Sequence, residues 1–97
     1  MWDENFIWDD DKNDFNTRKH GISFDEAKTV FLDDYAVFLK DDEHSVSEER
    51  FIIIGKSRQS NLLVVCHCYR ENDTIIRLIS ARKADKKETD LYNGGGL

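Results

Sequence analysis

The sequence predicts an α+β fold, an antiparallel β-sheet with helices packed on one side, in the order β-α-α-β-β-β-β-α. Three observations predict it. Helical patterns occupy residues 9–32 and the segment after residue 84, while four segments between them are apolar or alternating over strand lengths. No proline interrupts any of those strands. The connections RQS at 58–60 and END at 71–73 are short enough for hairpins, which makes the strands they join antiparallel neighbours. A chain of 97 residues supports one compact domain, read as 1–93, with the Gly-rich segment 94–97 as a flexible tail.

Taken in order, FIWD at 6–9 reads as a short first strand. In DDDKNDFNTRKHG, acids lead and Arg18, Lys19 and His20 follow, an order that complements a helix dipole. Gly21 supplies the left-handed residue that ends that helix. Ser23 and Glu26 have capping-box spacing, and Phe24, Ala27, Val30 and Phe31 recur at helical spacing, so a second helix runs to about Leu32. The period then switches to two. AVFLK at 36–40 is a strand and DDEHSVSE at 41–48 a polar loop. RFIIIGKS at 50–57, NLLVVCHCYR at 61–70 and TIIRLISAR at 74–82 are three further strands. A last helix runs from about Asp85 to Asn93 and ends at GGG.

Composition narrows the class. The apolar fraction is 39% and the charged fraction 35%, which fits a small core under a heavily charged surface. The N-terminal MWDENF lacks the basic and apolar regions of a signal peptide, and FIII and LLVVC are far too short to span a bilayer. A soluble, cytoplasmic protein without membrane association is expected. Cys66 and Cys68 share one strand face with little room to close a disulfide, so they read as reduced thiols.

Net charge is −6, but it is unevenly spread. Residues 1–49 carry 15 acidic and 5 basic side chains, whereas residues 50–87 carry 3 acidic and 9 basic ones. Such a chain can present a basic surface despite an acidic pI, or its halves can neutralise each other across the fold.

Among candidate chemical groups, CHC at 66–68 is a poor metal site. On a strand, Cys66 and Cys68 face one side and His67 the other, and no further cysteine completes a zinc set. His44 in the acidic loop is a candidate acid or base, because imidazole titrates near neutrality. His20 and Lys19 have a simpler role available at a helix C-terminus. Arg50, Lys56, Arg70, Arg77 and Arg82 ride on strands, where a guanidinium or ammonium needs an anionic partner. In a regular strand Arg77 and Arg82 lie on opposite faces; a bulge near Ser80 would bring them to one.

The order of these pieces resembles the BrnT family, the ribonuclease halves of bacterial type II toxin–antitoxin pairs. The resemblance rests on RKHGISF at 18–24, H-S-x-x-E-E-R-F at 44–51 and IRLISARKA at 76–84, and extends from about Phe6 to Tyr92. It implies a RelE-like fold and a groove that binds RNA. It also implies cleavage without metal or other cofactor, the ribose 2′-hydroxyl attacking the adjacent phosphorus. The catalytic candidates on this reading are Arg77, Arg82, His44, His20 and Lys19, with Arg82 favoured for its place beside Ser80. Arg50, Lys56, Arg70, Ser80 and Lys83 are the RNA-binding candidates. The implied partner is a BrnA-like antitoxin, a DNA-binding protein of ribbon-helix-helix type, in a hetero-oligomer with the toxin. An alternative is a non-catalytic toxin-like protein that binds the antitoxin and co-represses its operon.

Overall fold

The computed structural model of the chain describes residues 5–44 and 48–94. Its elements run β1 (Phe6–Ile7), α1 (Asp10–His20), α2 (Phe24–Ala27), a 3-10 segment (Lys28–Leu32), β2 (Val37–Lys40) and a 3-10 turn (Asp42–His44). They continue with β3 (Phe51–Lys56), β4 (Leu62–Arg70), β5 (Ile75–Lys83) and α3 (Lys86–Tyr92). The expected α+β order is present. The five strands form one sheet in the order β1-β5-β4-β3-β2. All neighbours are antiparallel except β1, which pairs with β5 in parallel and is only two residues long. Trp8 and Asp9, expected to extend that strand, turn instead toward the helix: Asp9 is the N-cap of α1 and accepts from the Asp11 and Lys12 N–H groups.

One face of the sheet forms the core. Ile53, Leu63, Val65, Leu78 and Ala81 meet Ile22, Phe24, Ala27 and Val30 from α2 and its flanks. The 3-10 segment lies so close to β3 that a side chain on Gly55 would sit 3.2 Å from the Val30 carbonyl oxygen, so only glycine fits there without displacement. The expected single helix to Leu32 therefore tightens after Ala27 into 3-10 geometry, where Thr29 and Val30 are β-branched and Thr29 Oγ1 donates to the Glu26 carbonyl at 2.6 Å.

The capping box expected at Ser23 is half formed. Ser23 Oγ accepts from the Glu26 N–H, but the Glu26 carboxylate turns inward and accepts from Ser57 Oγ at 2.6 Å and Asn61 Nδ2 at 2.7 Å. Glu26 thus ties the β3–β4 hairpin to α2. The complete box occurs at α3, between Asp85 and Glu88.

Helix α1 is attached differently. Its one buried residue is Asn16, whose Nδ2 donates to the carbonyls of Ile22 and Ala81 at 2.8 Å each, while Oδ1 accepts from the Ala81 N–H at 3.0 Å. Because β1 pairs β5 only at Ile76 and Arg77, the rest of that edge of β5 is open, and the Asn16 amide occupies the ladder position a strand would fill. Gly21, at φ 72°, ends the helix as expected.

His67 is fully buried on the helix-covered face, its ring among Phe31, Phe51 and Tyr69, with Nδ1 against the Val65 carbonyl and Nε2 against Tyr69 Oη. Burial pushes its pKa down from 6.5 to about 4, so the folded state holds it neutral while the unfolded chain takes up a proton. Stability contributed this way is present above pH 6.5 and is lost as pH falls toward 4, by on the order of 3 kcal/mol in all. The stability of wild type and His67→Phe should therefore diverge between pH 7 and 4, the wild type falling more steeply. Equal slopes in urea unfolding across that range would contradict this.

Candidate functional site

The opposite face of the sheet collects the strand-borne cations. Cross-strand pairing places Lys56 with Leu62, Arg82 with Val64, Ser80 with Cys66, Arg77 with Cys68 and Arg70 with Ile75, all on one face. A bulge achieves this. Ser80 pairs with Cys66 and Leu78 with His67, leaving Ile79 as the extra residue, so Arg77 and Arg82 emerge on the same side.

Two of these four cations, Arg70 and Arg82, pair with carboxylates. Arg70 is bonded twice to Glu48, at 2.7 and 3.3 Å, and its Nη1 lies 3.0 Å from Cys68 Sγ. Arg82 forms a bidentate pair with Glu88 of α3, both bonds 2.7 Å. That pair holds the guanidinium charged and the Glu88 carboxyl below its ordinary range, each through the bond to the other. It also shows that α3, anchored by the bond from Tyr92 Oη to Asp33, reaches the face opposite α1 and α2, so the helices do not all pack on one side of the sheet as expected. Arg77, in contrast, has no ion pair or side-chain hydrogen bond among the described residues.

Two clefts adjoin at the bulge. On the open face, a cleft of about 320 Å³ runs past Arg50, Asp41, Glu43, Cys66, Ser80 and Arg82. Around the free edge of β5 lies a second, of about 400 Å³, between that strand and α1. Lys12, Phe15, Lys19 and His20 line it from α1, with Ser80 and Arg82 from β5, and no carboxylate is among its lining residues. The structure thus brings together Lys19, His20, Ser80 and Arg82, which lie up to 63 positions apart in sequence. Arg50 lies in the adjoining cleft. Arg70 and Arg77 share the open face but line neither cleft, and Arg77 stands five residues from Arg82, about 15 Å along the strand.

Other candidates lie elsewhere. Lys56 lines a separate depression with Asp33 and Arg58, because β3 lies two strands away from β5 in the sheet. Lys83 pairs with Leu63, so it sits on the helix-covered face, away from Arg82. His44 closes the 3-10 turn, and its side chain lies outside the described part of the structure, as do residues 45–47 of the acidic loop and 95–97 of the tail.

Lys12 and Phe15 were absent from the sequence-based candidates. The signal for them is helical spacing: Lys12, Phe15 and Lys19 stand at i, i+3 and i+7, one face of α1. Lys19 Nζ lies 5.7 Å from the Phe15 ring centroid.

Cys66 and Cys68 are free thiols on the open face, with His67 on the other, as strand alternation requires. Burial, with Asp41 nearby, pushes the Cys66 thiol up to about 11, which leaves it a poor nucleophile at neutral pH. Among the described residues no group of three or more His, Cys, Asp or Glu is placed to hold a metal ion. No helix among them is long and apolar enough to cross a membrane.

The profile of a family described as "Ribonuclease toxin, BrnT, of type II toxin-antitoxin system" matches residues 8–88. The chain belongs to the BrnT family of ribonuclease toxins. The match takes in α1, the whole of β5 and the Arg82–Glu88 pair, and so spans both clefts. A crystal structure of the Brucella abortus ribonuclease toxin BrnT superposes with a TM-score of 0.63 at 22% identity, covering 84% of this chain and 96% of that one. At that identity the likeness shows a shared BrnT fold. No curated protein matches the chain. Membership in a type II toxin family implies a cognate antitoxin.

Proposed function

We propose that this chain cleaves RNA at the cleft between α1 and the bulged end of β5, without a metal ion, and that a ribbon-helix-helix antitoxin of BrnA type neutralises it in a hetero-oligomer. The observation that carries the reading is the cleft's lining: cations from α1 and β5 converge with an imidazole and a hydroxyl, and the one carboxylate bonded to these cations among the described residues, Glu88 on Arg82, is not among the lining residues. That is an anion site.

The chemistry is transesterification. A base takes the proton of the ribose 2′-hydroxyl, the oxygen attacks the adjacent phosphorus, and the 5′-oxygen leaves with a proton, giving a 2′,3′-cyclic phosphate and a 5′-hydroxyl. His20 is the imidazole of the cleft and is assigned proton transfer. Arg82, its guanidinium fixed by Glu88, is assigned the charge that develops on the phosphorane, and Lys19 the flanking phosphate. Arg77 extends the cationic track along the open face.

A second reading is a toxin-like protein that binds antitoxin and co-represses transcription without cutting RNA. It is favoured by one observation: Arg70 and Arg82 already hold carboxylates.

Incubation of single-stranded RNA with the protein in excess chelator separates the readings. Fragments ending in 2′,3′-cyclic phosphate are expected, and intact RNA would support the second reading. Binding should also weaken with salt. Three or four phosphate contacts give a log–log slope of about −2 to −3 for a single strand. A flat salt dependence would remove the cleft as the RNA site.

A further inference from the structure

Helix α1 contains a single large apolar residue, Phe15, and the fold leaves it outside. The helix sequence DDKNDFNTRKH is otherwise polar, and it docks on β5 through the buried Asn16 rather than through an apolar face. Phe15 is 58% exposed. Helices of small domains ordinarily bury their apolar positions, so a lone phenylalanine turned to solvent is one the core does not use.

Its surroundings indicate what it could meet. Phe15 lines the cationic cleft with Lys12 one helical turn before it and Lys19 one turn after, and the Lys19 ammonium lies over its ring. Arg82 and Ser80 face it from β5. An aromatic surface flanked by cations at successive helical turns matches a single nucleic-acid strand, whose bases stack on rings while its phosphates contact lysines and arginines. In a duplex the bases are already stacked on one another and cannot reach the ring.

We propose that Phe15 is the stacking platform for one unpaired base of single-stranded RNA, with Lys12 and Lys19 holding the phosphates on either side. This rests on the cleft being the RNA site, and it adds a substrate class: unpaired RNA over duplex. Phe15 is here a binding residue for the base rather than a catalytic one.

The test measures binding of a short single-stranded oligoribonucleotide, 2′-O-methylated so that it binds without being cut. Wild type, Phe15→Ala, Phe15→Trp and Lys19→Ala are compared by fluorescence anisotropy, each first checked for an unchanged melting curve. Phe15→Ala should bind about 5- to 100-fold more weakly, Phe15→Trp should retain affinity, and the salt slope should be unchanged in both. Lys19→Ala should reduce that slope by about 0.7. A scan of single abasic positions should find one whose loss weakens wild type and leaves Phe15→Ala unaffected. Wild-type affinity in Phe15→Ala, with Lys19→Ala still impaired, would overturn the stacking role while leaving the cleft intact. No effect of either variant would overturn the cleft itself. A Phe15→Ala variant that binds RNA normally but loses antitoxin binding would assign the ring to the protein partner and likewise overturn the proposal.

Discussion

Asn16→Ala should lower stability by about 3–5 kcal/mol, although it removes a small polar side chain from a helix with almost no apolar contact. One amide supplies three hydrogen bonds at 2.8–3.0 Å, two of them to the backbone of Ala81 and one to Ile22. Without it, three buried backbone groups lose their partners and the open edge of β5 is uncovered. Alanine has the better helix propensity, so any loss reports the missing bonds. Thr17→Ala, on the exposed face of the same helix, is the comparison and should change stability by less than about 1 kcal/mol. Urea unfolding of both variants decides it. A loss below about 1 kcal/mol for Asn16→Ala would mean that α1 is held by something else.

Arg82→Lys should reduce single-turnover RNA cleavage by on the order of a hundredfold or more, the effect of losing a fixed donor at a developing oxyanion. Lysine keeps the charge but not the planar fork that Glu88 holds at two points of 2.7 Å. A modest fall in stability should accompany it, because the pair also joins α3 to the sheet; the arginine is 43% exposed, so solvent limits what the pair contributes. Glu88→Gln removes the same pair and leaves the guanidinium in place. If stability alone explains the lost activity, Glu88→Gln should lose as much cleavage as Arg82→Lys. Arg77→Lys should cleave within a few-fold of wild type, since Arg77 has no bidentate partner among the described residues and a point charge suffices to track a backbone. A hundredfold loss at Arg77 with full activity at Arg82 would reverse the assignment.

Much of the architecture was legible because it follows from local rules. Strand length, hairpin spacing and the Gly21 stop are each determined within a few residues, and they gave the order and type of the main elements. The bulge near Ser80 was visible only as a condition for joining Arg77 to Arg82, since alternation alone separates them. What escaped was set by contacts distant in sequence. Glu26 turned from its expected cap because Ser57 and Asn61, more than thirty residues away, offer it two donors in the interior. The parallel pairing of β1 depends on which edge of β5 is free, and the role of Asn16 depends on that edge lying beside α1.

The candidate cleft was legible in part for the same reason. Arg82, Ser80, Lys19 and His20 were chosen on residue chemistry and on the family resemblance, and the fold gathers them in one cleft. Phe15 and Lys12 were not among the candidates, because nothing in the helix sequence marks which way its lone phenylalanine turns. Its exposure is a property of how α1 docks, and the sequence does not encode that docking in an apolar stripe.

Engagement of RNA between α1 and the bulged end of β5 is tested most directly by titrating the isotopically labelled protein with a 2′-O-methylated single-stranded oligoribonucleotide and following amide chemical shifts. The largest changes are predicted in residues 12–21 and 77–83, with residues 33–38 at the β2 edge of the sheet, three strands from β5, unmoved. Changes concentrated at that edge, or none at saturating RNA, would contradict the claim.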